Sequence, residues 1–229
     1  MRNVNTQAQR GIDKLLEIGS KPLIVTLDET LGMQTLKDVG HRDELLSLLR
    51  IKNGFYAFES ALHVFPLVMD DWFNSQDLVR WNAPTLWKYA FGNQAETLFA
   101  FAEDIFGYQF CSKGNQIVRF DPETGDAERV CSSVEEWATL ICNDYNFQTG
   151  YPVAKAWQAT HGPIAQGNRL VPIYPLISKE GSYDVSNFYE VDDLKGMLSR
   201  ANFARQVEDV KDGQQVRITP INVPSRSSK

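Results

Sequence analysis

Histidine and cysteine, the residues that most often bind metals or act as nucleophiles, are scarce in this sequence. Its 229 residues include three of each, which are His41, His63, His161, Cys111, Cys131 and Cys142. The histidines are far apart and the cysteines form no C-x-x-C pair, so the spacings used by metal sites are missing. We therefore predict three unpaired thiols in a reducing compartment, with no metal ion and no other cofactor.

Short motifs of common catalytic and nucleotide sites are also missing. The sequence has no G-x-S-x-G, no G-x-x-x-x-G-K, no G-x-G-x-x-G and no H-E-x-x-H. His63 lies in an apolar run and is interpreted as a strand histidine with a local hydrogen bond. His41 and His161 are expected to be exposed cap or loop residues. We therefore expect no catalytic residues and no enzymatic activity.

Long apolar runs and an excess of positive charge are missing as well. No stretch approaches the about 20 apolar residues that a membrane-spanning helix needs, and the polar start of the chain does not resemble a secretion signal. The formal net charge is −6 and the pI is near 5.1, which argues against a nucleic-acid-binding face. We expect a cytoplasmic protein that binds neither membranes nor nucleic acids directly, and whose acidic surface suits a basic partner.

The patterns that are present predict an α+β fold in a single domain, with a largely antiparallel sheet flanked by helices. Short β-prone runs between residues 98 and 131 predict a meander of antiparallel strands in which Val118 faces Val130. A Leu-rich stripe over 43–51, ended by Asn53 and Gly54, predicts a helix with a left-handed terminator. The S-x-x-E pattern from Ser133 predicts a capping box at the start of another helix.

The rest of the chain predicts shorter elements and two terminal segments. We interpret 66–97 as loops with one or two short helices, 171–177, 187–191 and 214–219 as strands, and 152–160 and 192–208 as helices. The predicted organisation is an N-terminal helix in 1–22, one domain with a C-terminal extension over 23–219, and a flexible tail at 220–229.

Several patterns in the middle of the chain occur together in one known family. They are D-x-x-G-x-x-F from Asp104, V-x-F-D-x-E-T-G from Val118 and S-S-V-E-E-W from Ser132. With the Leu-rich helix before them, these patterns resemble the SUKH superfamily, which contains a fungal cell-wall synthesis regulator and many bacterial toxin-immunity proteins. Residues 54–66 and 151–158 look like a bacterial subgroup with an extended C-terminal part.

The resemblance covers roughly residues 23–219 and implies the SUKH fold and a function. That function is non-catalytic binding, of the immunity type, in which the protein neutralises a toxin by direct association; a basic toxin domain fits the acidic charge. The alternative is a housekeeping interaction or regulatory module of the same fold, and a third possibility is an enzyme with an unrecognised site. The family often carries Asn where this chain has Tyr108, so the contact made by that Asn is not expected here.

The acidic pairs and tryptophans outside residues 69–82 have structural interpretations. The acids interpreted as first-turn helix residues are Glu135, Glu136, Asp192 and Asp193. Asp104 is interpreted as a turn residue that accepts backbone N–H bonds. The core residues on helix faces are Trp137 and Trp157.

Segment 69–82 is therefore predicted, by elimination, to form part of the partner-binding surface. It combines acidity with large aromatic side chains in a region of irregular pattern, and interfaces draw most of their energy from a few aromatic anchors. The predicted contact residues are Asp70, Asp71 and Asp77, which supply charge, and Trp72 and Trp81, which supply an anchor. An ordinary solvated loop over a buried tryptophan is the alternative interpretation.

Overall fold

A six-stranded antiparallel sheet, whose strands follow one another in chain order, organises the computed structural model, which describes residues 10–69, 76–208, 210, 211, 213 and 214. The strands are β1 (Phe55–Ala57), β2 (Leu62–Val64), β3 (Phe99–Asp104), β4 (Gln109–Lys113), β5 (Gln116–Phe120) and β6 (Ala127–Cys131). A second sheet pairs β7 (Asn168–Pro172) antiparallel with β8 (Phe188–Asp192). The predicted α+β fold with antiparallel strands is confirmed.

Helices surround the large sheet in the described part of the chain. The α-helices are α1 (Gly11–Ile18), α2 (Glu29–Thr35), α3 (Arg42–Ile51), α4 (Leu78–Trp81), α5 (Tyr89–Phe91), α6 (Asn93–Glu96), α7 (Val134–Asn143), α8 (Tyr145–Thr149), α9 (Tyr151–His161) and α10 (Asp193–Val207). A π-helix spans Pro84–Lys88 and a 3-10 helix spans Val185–Asn187. Residues 76–97 therefore hold more short helices than the sequence predicted.

Helix α7 begins at the predicted cap and covers the large sheet. The Glu136 N–H donates to Ser133 Oγ at 3.1 Å, and the Glu136 carboxylate accepts from the Ser132 N–H at 2.9 Å. The reciprocal bond therefore reaches one residue further back than in a standard capping box. Trp137 packs edge-on against Phe101, with ring centroids 5.0 Å apart, and is fully buried as predicted.

The end of α3 turns the chain into the sheet. Gly54 has a φ of +71°, as predicted for a left-handed terminator. The Asn53 side chain donates to the Thr26 carbonyl at 2.9 Å and accepts from the Leu67 N–H at 2.8 Å. Because these bonds satisfy backbone groups of two separate segments, Asn53 fixes the position at which β1 enters the sheet.

The predicted register of β5 and β6 is wrong by one residue. A bulge between Ile117 and Val118 sets Val118 opposite Arg129 and Ile117 opposite Cys131, because the extra residue shifts the pairing. Cys111 lies on β4 and Cys131 on β6, so β5 separates the two thiols. All three cysteines are unpaired and buried in the structure.

The small sheet begins earlier than predicted and packs on a second apolar cluster. Strand β7 ends at Pro172 because Asn187 takes over the pairing: its side-chain oxygen accepts from the Tyr174 N–H at 2.9 Å. The Leu170 N–H donates to the Ile105 carbonyl at 2.9 Å, which ties β7 to the end of β3. Trp157, predicted to be a core residue, is buried in this second cluster. Most of the strand predicted at 214–219 and the predicted tail lie outside the described residues.

Candidate functional site

The predicted partner-binding residues separate into two groups. Asp70, Asp71 and Trp72 lie outside the described residues. Asp77 and Trp81 are described, and both are fully buried at 0% exposure. The expectation that these two lie on an exposed interface is therefore corrected.

Asp77 and Trp81 have structural roles that explain their burial. Asp77 caps α4 by accepting from the Arg80 N–H at 2.7 Å, and its other oxygen pairs with Arg80 Nε at 2.5 Å. The Trp81 indole N–H donates to Gln109 Oε1 at 2.8 Å. An Asp directly before apolar helix residues, here Leu78 and Val79, is a helix N-cap pattern, so the sequence carried a signal for this role of Asp77.

Four ionisable side chains from β2, β3, β7 and α10 form an interior ion network, defined here as His63, Glu103, Arg169 and Asp193. The antiparallel register sets His63 directly opposite Glu103, and His63 Nδ1 lies 3.2 Å from Glu103 Oε1. Arg169 Nη2 lies 2.6 Å from the same oxygen. Each of these four residues is at most 1% exposed, so their charges are compensated inside the protein.

Protonation balances the charges of the interior ion network. Burial, and secondarily the Arg169 guanidinium, holds the pKa of His63 well below its ordinary value, so the imidazole is neutral and Nδ1–H donates to Glu103. Burial and the Glu103 carboxylate hold the pKa of Asp193 well above its ordinary value. The Asp193 carboxyl group therefore favours its protonated form, and the Arg169 guanidinium lies against the Glu103 carboxylate.

The sequence interpretation missed this network because its members have ordinary local patterns. Asp192 caps α10 by accepting from the Lys195 N–H at 3.1 Å, as expected of a first-turn acid. Its neighbour Asp193 instead points inward and accepts from Gln76 Nε2 at 2.7 Å. Arg169 sits beside Leu170 and Val171 in an apolar run, and an ionisable residue inside such a run is the one signal that indicates a buried partner.

A second polar cluster surrounds Asp104 at the turn that resembles the family pattern. Asp104 Oδ1 accepts from the backbone N–H groups of Phe106 at 2.9 Å and Tyr108 at 3.0 Å, which confirms its predicted role. Asp104 Oδ2 lies 2.6 Å from Arg119 Nη2. The Arg119 guanidinium stacks 4.2 Å from the centroid of the Tyr108 ring, so Tyr108 positions this arginine.

Glu123 links this second cluster to the β7–β8 connector, defined here as residues 173–187. Glu123 is only 2% exposed, and its Oε2 accepts from the Ile177 N–H at 3.3 Å. Burial raises the pKa of Glu123 to about 7, although Arg200 opposes that shift. The connector is therefore anchored on a carboxyl group that titrates near neutral pH.

We expect Glu123→Gln to raise the free energy of unfolding, relative to the parent, more at about pH 8 than at about pH 5. The native pKa of Glu123 lies above the ordinary value of 4.5, so the native state gains stability from its proton below about pH 4.5 and loses it as pH rises to about 7. Glutamine imitates the protonated form at every pH. The variant-minus-parent free energy of unfolding should therefore rise by about 1–3 kcal/mol between the two pH values, measured by urea denaturation. Glu128→Gln, at an exposed position on β6, is the control. If the difference in free energy of unfolding between Glu123→Gln and the parent were the same at both pH values, Glu123 would not titrate between them.

His41 was expected at the surface and is buried instead. Its Nδ1 lies 2.7 Å from Ser112 Oγ, and its Nε2 lies 3.1 Å from the Ser132 carbonyl oxygen. His41 therefore joins the start of α3 to β4 and to the segment before α7, a role that depends on residues about 70 and 90 positions away. His161 is exposed as predicted and stacks on Trp157 with ring centroids 4.4 Å apart.

The described residues contain neither a group arranged to hold a metal ion nor a helix that could cross a membrane. Across 10–69 and 76–208, no group of three or more His, Cys, Asp or Glu side chains is arranged to hold a metal ion. The helices in these ranges are all too short or too polar to cross a membrane.

Comparison with known proteins found a likeness of fold. No known family and no curated protein matches the sequence. The crystal structure of Atu4351 from Agrobacterium tumefaciens is similar, with a TM-score of 0.52 and 12% sequence identity over 81% of this chain and 86% of that chain. At this identity the likeness concerns the fold alone.

Proposed function

We propose that this chain is a non-catalytic binding protein of the immunity type, which acts in the cytoplasm and neutralises a toxin by direct association. The observation that carries the non-catalytic part of the proposal is the burial of the ionisable groups whose pKa values are most strongly shifted. Catalytic acids and bases must reach a substrate, whereas His63 and Asp193 are each 1% exposed. The contact between Arg169 and Glu103 in the same network joins β7 to the large sheet and so supports a scaffold.

Charge supports the choice of partner. The chain carries a formal net charge of −6, and a toxin that acts on nucleic acid needs a basic surface. An acidic protein attracts such a surface over long distance and raises the association rate. The resemblance to the SUKH superfamily, with its many immunity proteins, adds to this proposal.

Co-expression with the products of adjacent genes tests the function. We expect a tagged form of this chain to co-purify with one adjacent product that carries a basic toxin domain, and to restore growth of cells that express that product. Co-purification with a non-toxic product, without any effect on toxicity, would support the housekeeping alternative. Unchanged toxicity and no complex with any adjacent product would contradict the immunity function.

A further inference from the structure

Exposed large hydrophobic side chains concentrate in two places within the described residues. Eleven such side chains are exposed, and five of them lie on or beside the β7–β8 connector: Ile173, Tyr174, Ile177, Tyr183 and Tyr189, each between 44% and 59% exposed. Four others, Ile18, Val25, Met33 and Ile51, lie in the N-terminal helical part. Clusters of this kind mark interaction sites more often than isolated exposed residues do.

Hydrogen bonds hold the backbone of the connector in place beneath its exposed side chains. The Asn187 side-chain amide donates to the carbonyls of Tyr174 at 3.0 Å and Ser182 at 2.9 Å. The Glu123 carboxylate accepts a hydrogen bond from the Ile177 N–H. Exposed aromatic groups on a fixed backbone lose little conformational entropy when a partner covers them, which favours binding.

The Tyr183 ring extends from the interior to the surface. It packs against Phe106, with ring centroids 5.5 Å apart, and more distantly against Phe188 at 6.5 Å, yet more than half of the residue remains exposed. A ring supported on one side and open on the other resembles the aromatic anchors that dominate binding energy in protein interfaces. Tyr174 is exposed to a similar extent two residues after β7.

Charge distinguishes the two apolar clusters. Segment 173–192 carries one cation, Lys179, and four exposed or half-exposed carboxyl groups, Glu180, Asp184, Glu190 and Asp192. The N-terminal cluster lies among charges of both signs, since Arg50 beside Ile51 pairs with Glu29 and Glu17 precedes Ile18. A basic partner is therefore attracted more strongly to the first cluster than to the second.

We propose that residues 173–189, here called the connector surface, form the docking surface for a basic protein domain. Tyr174 and Tyr183 are its aromatic anchors, and the neighbouring carboxylates attract the positive charges of that domain. This inference rests on the proposed function and concerns a described, exposed surface outside segment 69–82, whose Asp70, Asp71 and Trp72 lie outside the described residues. The occupant is a basic toxin domain, because the charges of the connector surface complement that class of protein.

Binding kinetics of matched variants test the connector surface. The probe is the purified adjacent-gene product that co-purifies with the chain. Ile173→Ser combined with Tyr174→Ser removes two exposed side chains without touching a side-chain hydrogen bond, and Val25→Ser combined with Ile51→Ser is the matched control at the other cluster. We expect the first variant to weaken binding about 30-fold or more, mainly through faster dissociation, and the control to change it less than about 3-fold.

A charge variant provides a second, independent readout. Glu180→Gln combined with Asp184→Asn should slow association at low salt and reduce its salt dependence, whereas Glu17→Gln combined with Asp38→Asn should not. Parent-like kinetics in both connector variants, with the parent still binding, would overturn the connector surface and leave the proposed function intact. Failure of the parent to bind any adjacent product would overturn both. Sedimentation that shows a parent dimer and a monomeric Ile173→Ser/Tyr174→Ser variant would assign the surface to a second copy of this chain instead.

Discussion

Arg169→Met is expected to lower the free energy of unfolding by about 3–5 kcal/mol. The substitution leaves the buried Glu103 carboxylate without its cationic partner, which lies 2.6 Å away in the native protein. Water cannot replace the lost guanidinium, because Glu103 is 0% exposed and Arg169 only 1%. Urea denaturation at neutral pH measures the loss.

Two controls separate the loss of the ion pair from a general effect of removing arginine. Arg50 pairs with Glu29 at 2.8 Å, but about half of each side chain is exposed, so Arg50→Met should cost less than about 1 kcal/mol. Combining Arg169→Met with Glu103→Leu should recover much of the lost stability, because no unpaired charge then remains buried. Equal losses at the two arginines, or no recovery in the double variant, would contradict the description of the interior ion network.

Gly54→Ala is expected to cost about 2–5 kcal/mol, since two unfavourable effects add. An alanine at a φ of +71° is strained by about 1 kcal/mol or more. Its Cβ would also lie 2.6 Å from the backbone nitrogen of Pro66. That nitrogen can move only if the segment that follows β2 also shifts.

Gly114→Ala is the matched control for Gly54→Ala. Gly114 has a φ of +55° in the turn between β4 and β5, and a Cβ there would meet nothing within 4 Å. It should therefore cost about 1 kcal/mol, from backbone strain alone. Similar denaturation midpoints for the two variants would show that the contact between Gly54 and Pro66 is not tight.

Elements that depend on neighbouring residues could be predicted from the sequence. The meander of β3 to β6, the Ser133 cap of α7 and the Gly54 terminator of α3 all follow from patterns only a few residues long. The register of β5 and β6 could not be predicted in the same way. A bulge shifts it by one residue, and its extra residue, Val130 on β6, has no glycine beside it to indicate the bulge.

The candidate sites depend on contacts between distant residues, and the sequence could not predict them. Glu103 contacts His63 and Arg169, which lie about 40 and 66 positions away, and no local pattern shows that these residues meet. Trp81 looked available for binding because its surroundings are irregular in pattern. Its burial depends on Gln109, a residue on β4 that receives the indole N–H.

Titration of the toxin with purified protein, in the toxin's own activity assay, tests the binding function most directly. We predict that toxin activity falls linearly with added protein and reaches its minimum near one chain per toxin, with the masses of both proteins unchanged. The Ile173→Ser/Tyr174→Ser variant should need a much higher concentration for the same effect. Complete loss of toxin activity at a small fraction of one chain per toxin, with a covalent change in the toxin, would contradict non-catalytic neutralisation and identify the protein as an enzyme.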